Sequence, residues 1–96
     1  KCWEHSAYAG MDPIVTERPS SYIAGRVYGS LFDDMIAIEM RHRIGVNQIT
    51  FEVDYPHQDT TWPDTLAHVE KMAALVTPAE LERILRGNAI DMLGLD

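Results

Sequence analysis

Ile49-Thr50-Phe51-Glu52-Val53-Asp54-Tyr55-Pro56-His57 is the stretch on which the reading of this chain turns. Ile49, Phe51 and Val53 alternate with Thr50, Glu52 and Asp54, and strand side chains repeat with period two, so the apolar and polar sets fall on opposite faces. The pattern predicts a strand over 48–54 that Pro56 ends, because proline has no amide to add to a ladder. Asp54 then stands at the C-terminal end of the strand, where α/β folds gather their chemistry.

Upstream, Val27 to Phe32 has strand composition, with Gly29 marking a close backbone approach. Asp33 and Asp34 follow as N-cap candidates for a helix over 34–44, in which Ile36, Met40 and Ile44 fall on one face. Arg41, His42 and Arg43 suit the negative end of the helix dipole, and Gly45 supplies a left-handed stop. Strand 27–32, helix 34–44 and strand 48–54 form a β-α-β unit with parallel strands, so Asp54 and the Phe32-Asp33 turn share one sheet edge. Arg18-Pro19-Ser20-Ser21 opens a brief helix through Tyr22 to Gly25, and residues 1–17 read as an irregular lead-in.

Downstream, Tyr55 to Thr61 is a polar loop, and Trp62-Pro63-Asp64 opens a helix with Leu66, Val69, Met72, Ala73 and Val76 at helical spacing. Thr77-Pro78-Ala79-Glu80 matches a capping box; Leu81, Ile84, Leu85, Asn88 and Met92 then trace one stripe, and Gly94 closes the helix. No internal repeat or low-complexity tract interrupts the chain.

Composition narrows the function classes. The 96 residues are 46% apolar, the composition of one globular domain. A net charge of −7 argues against nucleic-acid binding, which needs a basic stripe to displace counterions from phosphates. Cys2 is the lone cysteine, which rules out an intrachain disulfide and fits a reducing compartment. No run approaches the roughly 18 apolar residues of a membrane span, so no membrane partner is expected and the cytoplasm is the expected location. The chain opens at Lys1 without an apolar leader, as though inside a longer protein.

Two parallel strands and their helices leave this reading incomplete, because parallel sheets are buried on both faces and two-stranded pairs are marginal. Thr50 and Glu52 on the Asp54 face suit the inside of a barrel near its mouth, so further strands are expected.

Arg18-Pro19-Ser20-Ser21-Tyr22, Val27-Tyr28-Gly29, Ile44-Gly45-Val46, Asp54-Tyr55-Pro56-His57 with Trp62-Pro63, and Ile84-Leu85-Arg86-Gly87-Asn88-Ala89 occur in that order. Together they resemble, over residues 18–96, the C-terminal third of the amidohydrolase-related family of metal-dependent TIM-barrel hydrolases and decarboxylases. The resemblance implies an α/β fold, the C-terminal β-α-β unit and terminal helices of a (β/α)8 barrel, with the whole chain a fragment of one barrel domain. Val27–Phe32 and Gln48–Val53 would be similar to the seventh and eighth strands. Asp54 matches the aspartate that closes the family's active site, where it binds a divalent metal, often zinc, or orients and deprotonates the metal's water.

The resemblance also implies hydrolysis or non-oxidative decarboxylation of a small carboxylated or cyclic substrate by the complete barrel. The family's His-x-His pair and further histidine ligands have no counterpart among His5, His42, His57 and His68. A zinc ion takes about four ligands, so the isolated chain is expected to be inactive and metal-free. Its expected partners are the missing barrel segment or a second copy. A structural or self-associating module is the alternative.

Individual residues keep two readings. Asp54 is a catalytic and metal residue of the full barrel, or an aspartate forming the turn before Pro56. His57 faces substrate or supports Asp54, or is a surface loop histidine. Glu52, where many family members carry a small residue, is a buried like-charge neighbour of Asp54 or the partner of an arginine on an absent strand. Trp62 packs where the loop meets its helix or lines the substrate entrance, and Asn88 is a buried amide bonded to backbone. Cys2 and His5 are incidental rather than a metal pair.

Overall fold

In the computed structural model, which describes residues 17–95, Gly29–Leu31 (β1) and Ile49–Phe51 (β2) pair in parallel. Gly29 lies opposite Ile49, Ser30 opposite Thr50 and Leu31 opposite Phe51. The connection between them carries Met35–Glu39 (α2), Arg41–Ile44 (α3) and a tight turn at Val46–Gln48. A short helix, Pro19–Ile23 (α1), precedes β1. After β2 come Thr65–Ala73 (α4), Pro78–Glu82 (α5), a π-helical turn at Arg83–Gly87 and Asn88–Leu93 (α6). The arrangement is α/β with a small parallel sheet, and among the described residues no helix is long and apolar enough to cross a membrane.

The core lies where the sheet meets the helices. Leu31 of β1 and Ile49 of β2 meet Ile38 of α2, Met72 of α4 and Ile84 of the π-helical turn, all nearly inaccessible to solvent. Each such side chain contributes about 1.5–3 kcal/mol by leaving water. Tyr28, Ser30, Thr50, Phe51 and Glu52, with Ala89 and Met92 of α6, line an open concavity of about 360 Å³.

Both strands are shorter than the 27–32 and 48–54 expected of them. Gln48 belongs to the tight turn, and its side-chain amide donates to the carbonyls of Ile23 and Val27 at 3.1 and 2.7 Å. Beyond Phe51 the Val53 carbonyl accepts from Thr60 Oγ1 at 2.7 Å and from the Thr61 amide at 3.2 Å. The loop thus claims a group that a longer strand would turn towards a neighbour, and Asp54 stands three residues past β2 instead of on it. Gly29 is exposed and no atom of the described residues approaches where its Cβ would be, so it marks no close contact.

The helix expected over 34–44 is two short helices that meet at Met40 (φ −90°, ψ 3°). Its core contact is Ile38, while the stripe Ile36, Met40 and Ile44 faces solvent, with Ile36 70% exposed. Asp34 holds the N-cap position of α2 without a side-chain capping bond. Gly45 ends α3 at φ +107°, a backbone that β-carbon-bearing residues rarely adopt. Leu66, Ala73, Leu85 and Met92 also lie on the exposed side of their helices, leaving Met72, Ile84 and Asn88 as the buried members of the two later stripes.

The capping box at α5 is complete. Glu80 N–H donates to Thr77 Oγ1 at 3.2 Å, and Thr77 N–H donates to Glu80 Oε2 at 2.9 Å. Arg41 Nε donates to Glu80 Oε1 at 3.2 Å, and Arg41 Nη1 donates to the Ile38 carbonyl at 2.9 Å, so one arginine joins the end of α2 to the start of α5. Asn88 is fully buried; its Nδ2 donates to the carbonyls of Val46 and Ile49, each at 2.7 Å. The backbone-bonded amide read from the sequence is thereby observed.

These contacts predict two stability effects. Replacing Asn88 with Ala strands buried acceptors at the start of β2, and denaturant titration should show a loss of about 1–3 kcal/mol. The Thr77 amide, and after it the Arg41 guanidinium, hold the Glu80 carboxyl below its ordinary value near 4.5. A depressed carboxylate stabilises the fold above its unfolded value and loses that contribution as pH falls through its folded value. Wild type should therefore exceed Glu80→Gln in stability at neutral pH, and thermal melts should converge as the pH drops below that range.

Candidate functional site

Because β1 and β2 run parallel, the segments leaving them emerge on one edge of the sheet. Phe32-Asp33-Asp34 leaves β1, and the loop from Glu52 to Asp64 leaves β2. The loop is fixed at its start by the Glu52 amide donating to the Leu31 carbonyl at 3.0 Å. Thr60 Oγ1 also accepts from the Trp62 amide at 3.2 Å, and Thr61, nearly buried, shares a hydroxyl contact with Thr65 of α4 at 3.1 Å. Tyr55-Pro56 and Trp62-Pro63 are both cis.

Asp54 has φ +56°, the left-handed region that aspartate and asparagine tolerate better than most residues. The turn this begins returns the chain so that His57 N–H donates to the Asp54 carbonyl at 2.9 Å. The side chains meet as well: His57 Nδ1 lies 2.8 Å from Asp54 Oδ1. A neutral imidazole that donates from Nδ1 leaves Nε2 with a lone pair for a proton or metal; a protonated one makes an ion pair. Asp54 is therefore the turn-forming residue and the partner of His57 at once. Its side chain is 36% exposed and that of His57 73% exposed, so both are accessible to a small molecule.

Glu52 does not join them. It is exposed, lines the concavity with Ser30 and Thr50, and makes no ion pair or side-chain hydrogen bond among the described residues. Glu52 is thus exposed rather than buried in this chain, one residue past the end of β2. Trp62 is 59% exposed; it meets Tyr55 edge to face, with ring centroids 5.6 Å apart and planes at 70°. Cys2 and His5 lie outside the described residues.

A second carboxylate-imidazole pair on this edge escaped the sequence reading. Asp33 Oδ1 lies 2.9 Å from His68 Nδ1, joining the turn after β1 to α4. Its partners are 35 positions apart, and the adjacent Asp33-Asp34 pair reads equally well as a cap, so local pattern carries no sign of it.

The described residues gather no group of three or more histidine, cysteine, aspartate or glutamate side chains able to hold a metal ion. Asp54 nevertheless fits one ligand position. Its Oδ1 is engaged by His57, while Oδ2 has no hydrogen-bond partner among the described residues. Zinc accepts carboxylate oxygen, and carboxylates that ligate metals are themselves held by hydrogen bonds.

A search of curated proteins finds no match. The sequence pattern of the family described as Amidohydrolase matches residues 8–95, nearly the whole chain. This chain therefore belongs to the amidohydrolase family.

Proposed function

We propose that the chain forms the closing section of a metal-dependent (β/α)8 barrel hydrolase, acting in the cytoplasm on a small carboxylated or cyclic substrate by hydrolysis or non-oxidative decarboxylation. The observation that carries this reading is the Asp54–His57 pair, held 2.8 Å apart on the C-terminal edge of a parallel sheet. Ligand sites of barrel enzymes lie on that edge.

In this reading Asp54 would hold one position on a divalent ion, zinc by preference, and histidines outside this chain would supply the remaining ligands. The ion, when bound, supplies a Lewis acid and lowers the pKa of its water towards about 7. Asp54 Oδ1 fixes the tautomer of His57, whose Nε2 takes a proton from the nucleophile or returns it to the leaving group. Exposed Tyr55 and Trp62, on the same loop, offer an apolar wall for a ring. Glu52 remains available to an arginine on a neighbouring strand. The isolated chain, with one ligand, is inactive.

A self-associating module is the second reading. Exposed Ile36, Ile44 and Leu66, and the open edge of β1, favour it. Sedimentation of the chain with and without the upstream segment separates the two, since association relieved by that segment supports the barrel.

In the complete protein, Asp54→Asn is expected to lower turnover by about 10²–10⁴-fold and reduce the zinc retained after dialysis, with unchanged circular dichroism. Full activity and full metal content in that variant would overturn the reading.

A further inference from the structure

We infer that Asp33 and His68 form a latch that positions the Asp54–His57 loop, acting through α4 without touching substrate. The inference rests on reading Asp54 and His57 as the working pair and adds the residues that hold them in place.

The loop that carries the pair is bracketed by β2 and α4, so its geometry depends on where α4 begins. α4 is fastened to the core at its far end, where Met72 is 1% exposed. Its first turns have no such fastening: Leu66 is 70% exposed, Ala67 is exposed, and Thr65 and Val69 are only half-buried. Polar contacts therefore hold the front of the helix. One is the hydroxyl contact of Thr61 with Thr65, inside the loop's own tail. The other is His68 Nδ1 to Asp33 Oδ1 at 2.9 Å, the tie that reaches outside that segment to the sheet.

The position of Asp33 gives the latch its leverage. Leu31, two residues earlier, accepts the Glu52 amide at the start of the loop. The tail of β1 thus grips the segment at both ends, by a backbone carbonyl before it and a carboxylate after it. Capping does not account for Asp33, because Asp34 holds the N-cap position. The His68 side chain is 22% exposed against 73% for His57, the difference between a ring held in place and one presented to solvent. Partly exposed pairs contribute little to global stability. Loss of this one should loosen the loop while leaving overall unfolding nearly unchanged.

Amide hydrogen exchange and histidine nitrogen shifts of the full chain test this. His68→Ala should speed exchange of the His57 and Thr61 amides about tenfold, the effect of losing one fastening bond, with Leu81 of α5 unchanged. The ring-nitrogen shifts of His57 should also change, as its contact with Asp54 Oδ1 loosens. Asp33→Ala should reproduce both effects, the double variant should add nothing, and His68→Asn, which keeps a donor near the Nδ1 position, should restore most of the protection.

Unchanged loop exchange in both single variants would overturn the latch. Equal acceleration in the loop and in α5, or additive effects in the double variant, would do the same. The two readings fail separately: loop exchange indifferent to His68 removes the latch alone, whereas full turnover in Asp54→Asn removes the working pair while the exchange result stands.

Discussion

The carboxamide of Asn88 fixes β2 against the terminal helix, and the place of the loop beyond β2 follows from it. Both neighbours of Nδ2, the carbonyls of Val46 and Ile49, are acceptors, so the orientation of the amide is determined. The π-helical turn at Arg83–Gly87 rotates Asn88 inwards; inserted residues of this kind re-aim the side chains that follow them. Arg83 Nη2 donates to Asp91 Oδ2 at 2.6 Å and braces the turn from outside. Gly87 leaves room for that arginine, since a Cβ there would lie 3.1 Å from Arg83 Nη1 and 3.0 Å from Glu82 Oε2. Helix, turn, glycine and amide form one device that places the first residue of β2.

From that origin the chain needs few residues to reach the Asp54–His57 pair. β2 crosses the core with Ile49, leaves the sheet after Phe51 and reverses at Asp54 in a left-handed conformation. The reversal brings His57 back onto the Asp54 carboxylate. A strand end supplies rigidity and a tight turn supplies the pairing, a division that suits catalytic groups held by a scaffold yet open to a ligand.

Much of this was legible in the residues themselves. The alternation around Thr50 announced a strand, Thr77 to Glu80 announced a helix start with both reciprocal bonds, and the buried amide of Asn88 was anticipated on its stripe. Spacing identified apolar rows on the helices but not which row meets the sheet. Ile36, Met40 and Ile44 make the more regular series, yet Ile38 reaches the core, because the direction in which β1 delivers the chain sets the rotation of α2. The end of β2 was hidden because it depends on Thr60 and Thr61, residues that fold back on Val53. The Asp33–His68 pair was hidden for the same reason at longer range: two elements distant in sequence must be docked before their side chains become neighbours.

The outer border of β2 has a bearing on how this chain meets other chains. The register turns the backbone groups of Ile49, Phe51 and Val53 away from β1. Asn88 already occupies the Ile49 carbonyl, and Thr60 and Thr61 the Val53 carbonyl. Any strand arriving there finds Phe51 as the one outward carbonyl of β2 without a partner among the described residues. Templated growth of cross-β fibres draws on repeated ladders. Few backbone acceptors on this border are thus left to seed such a ladder.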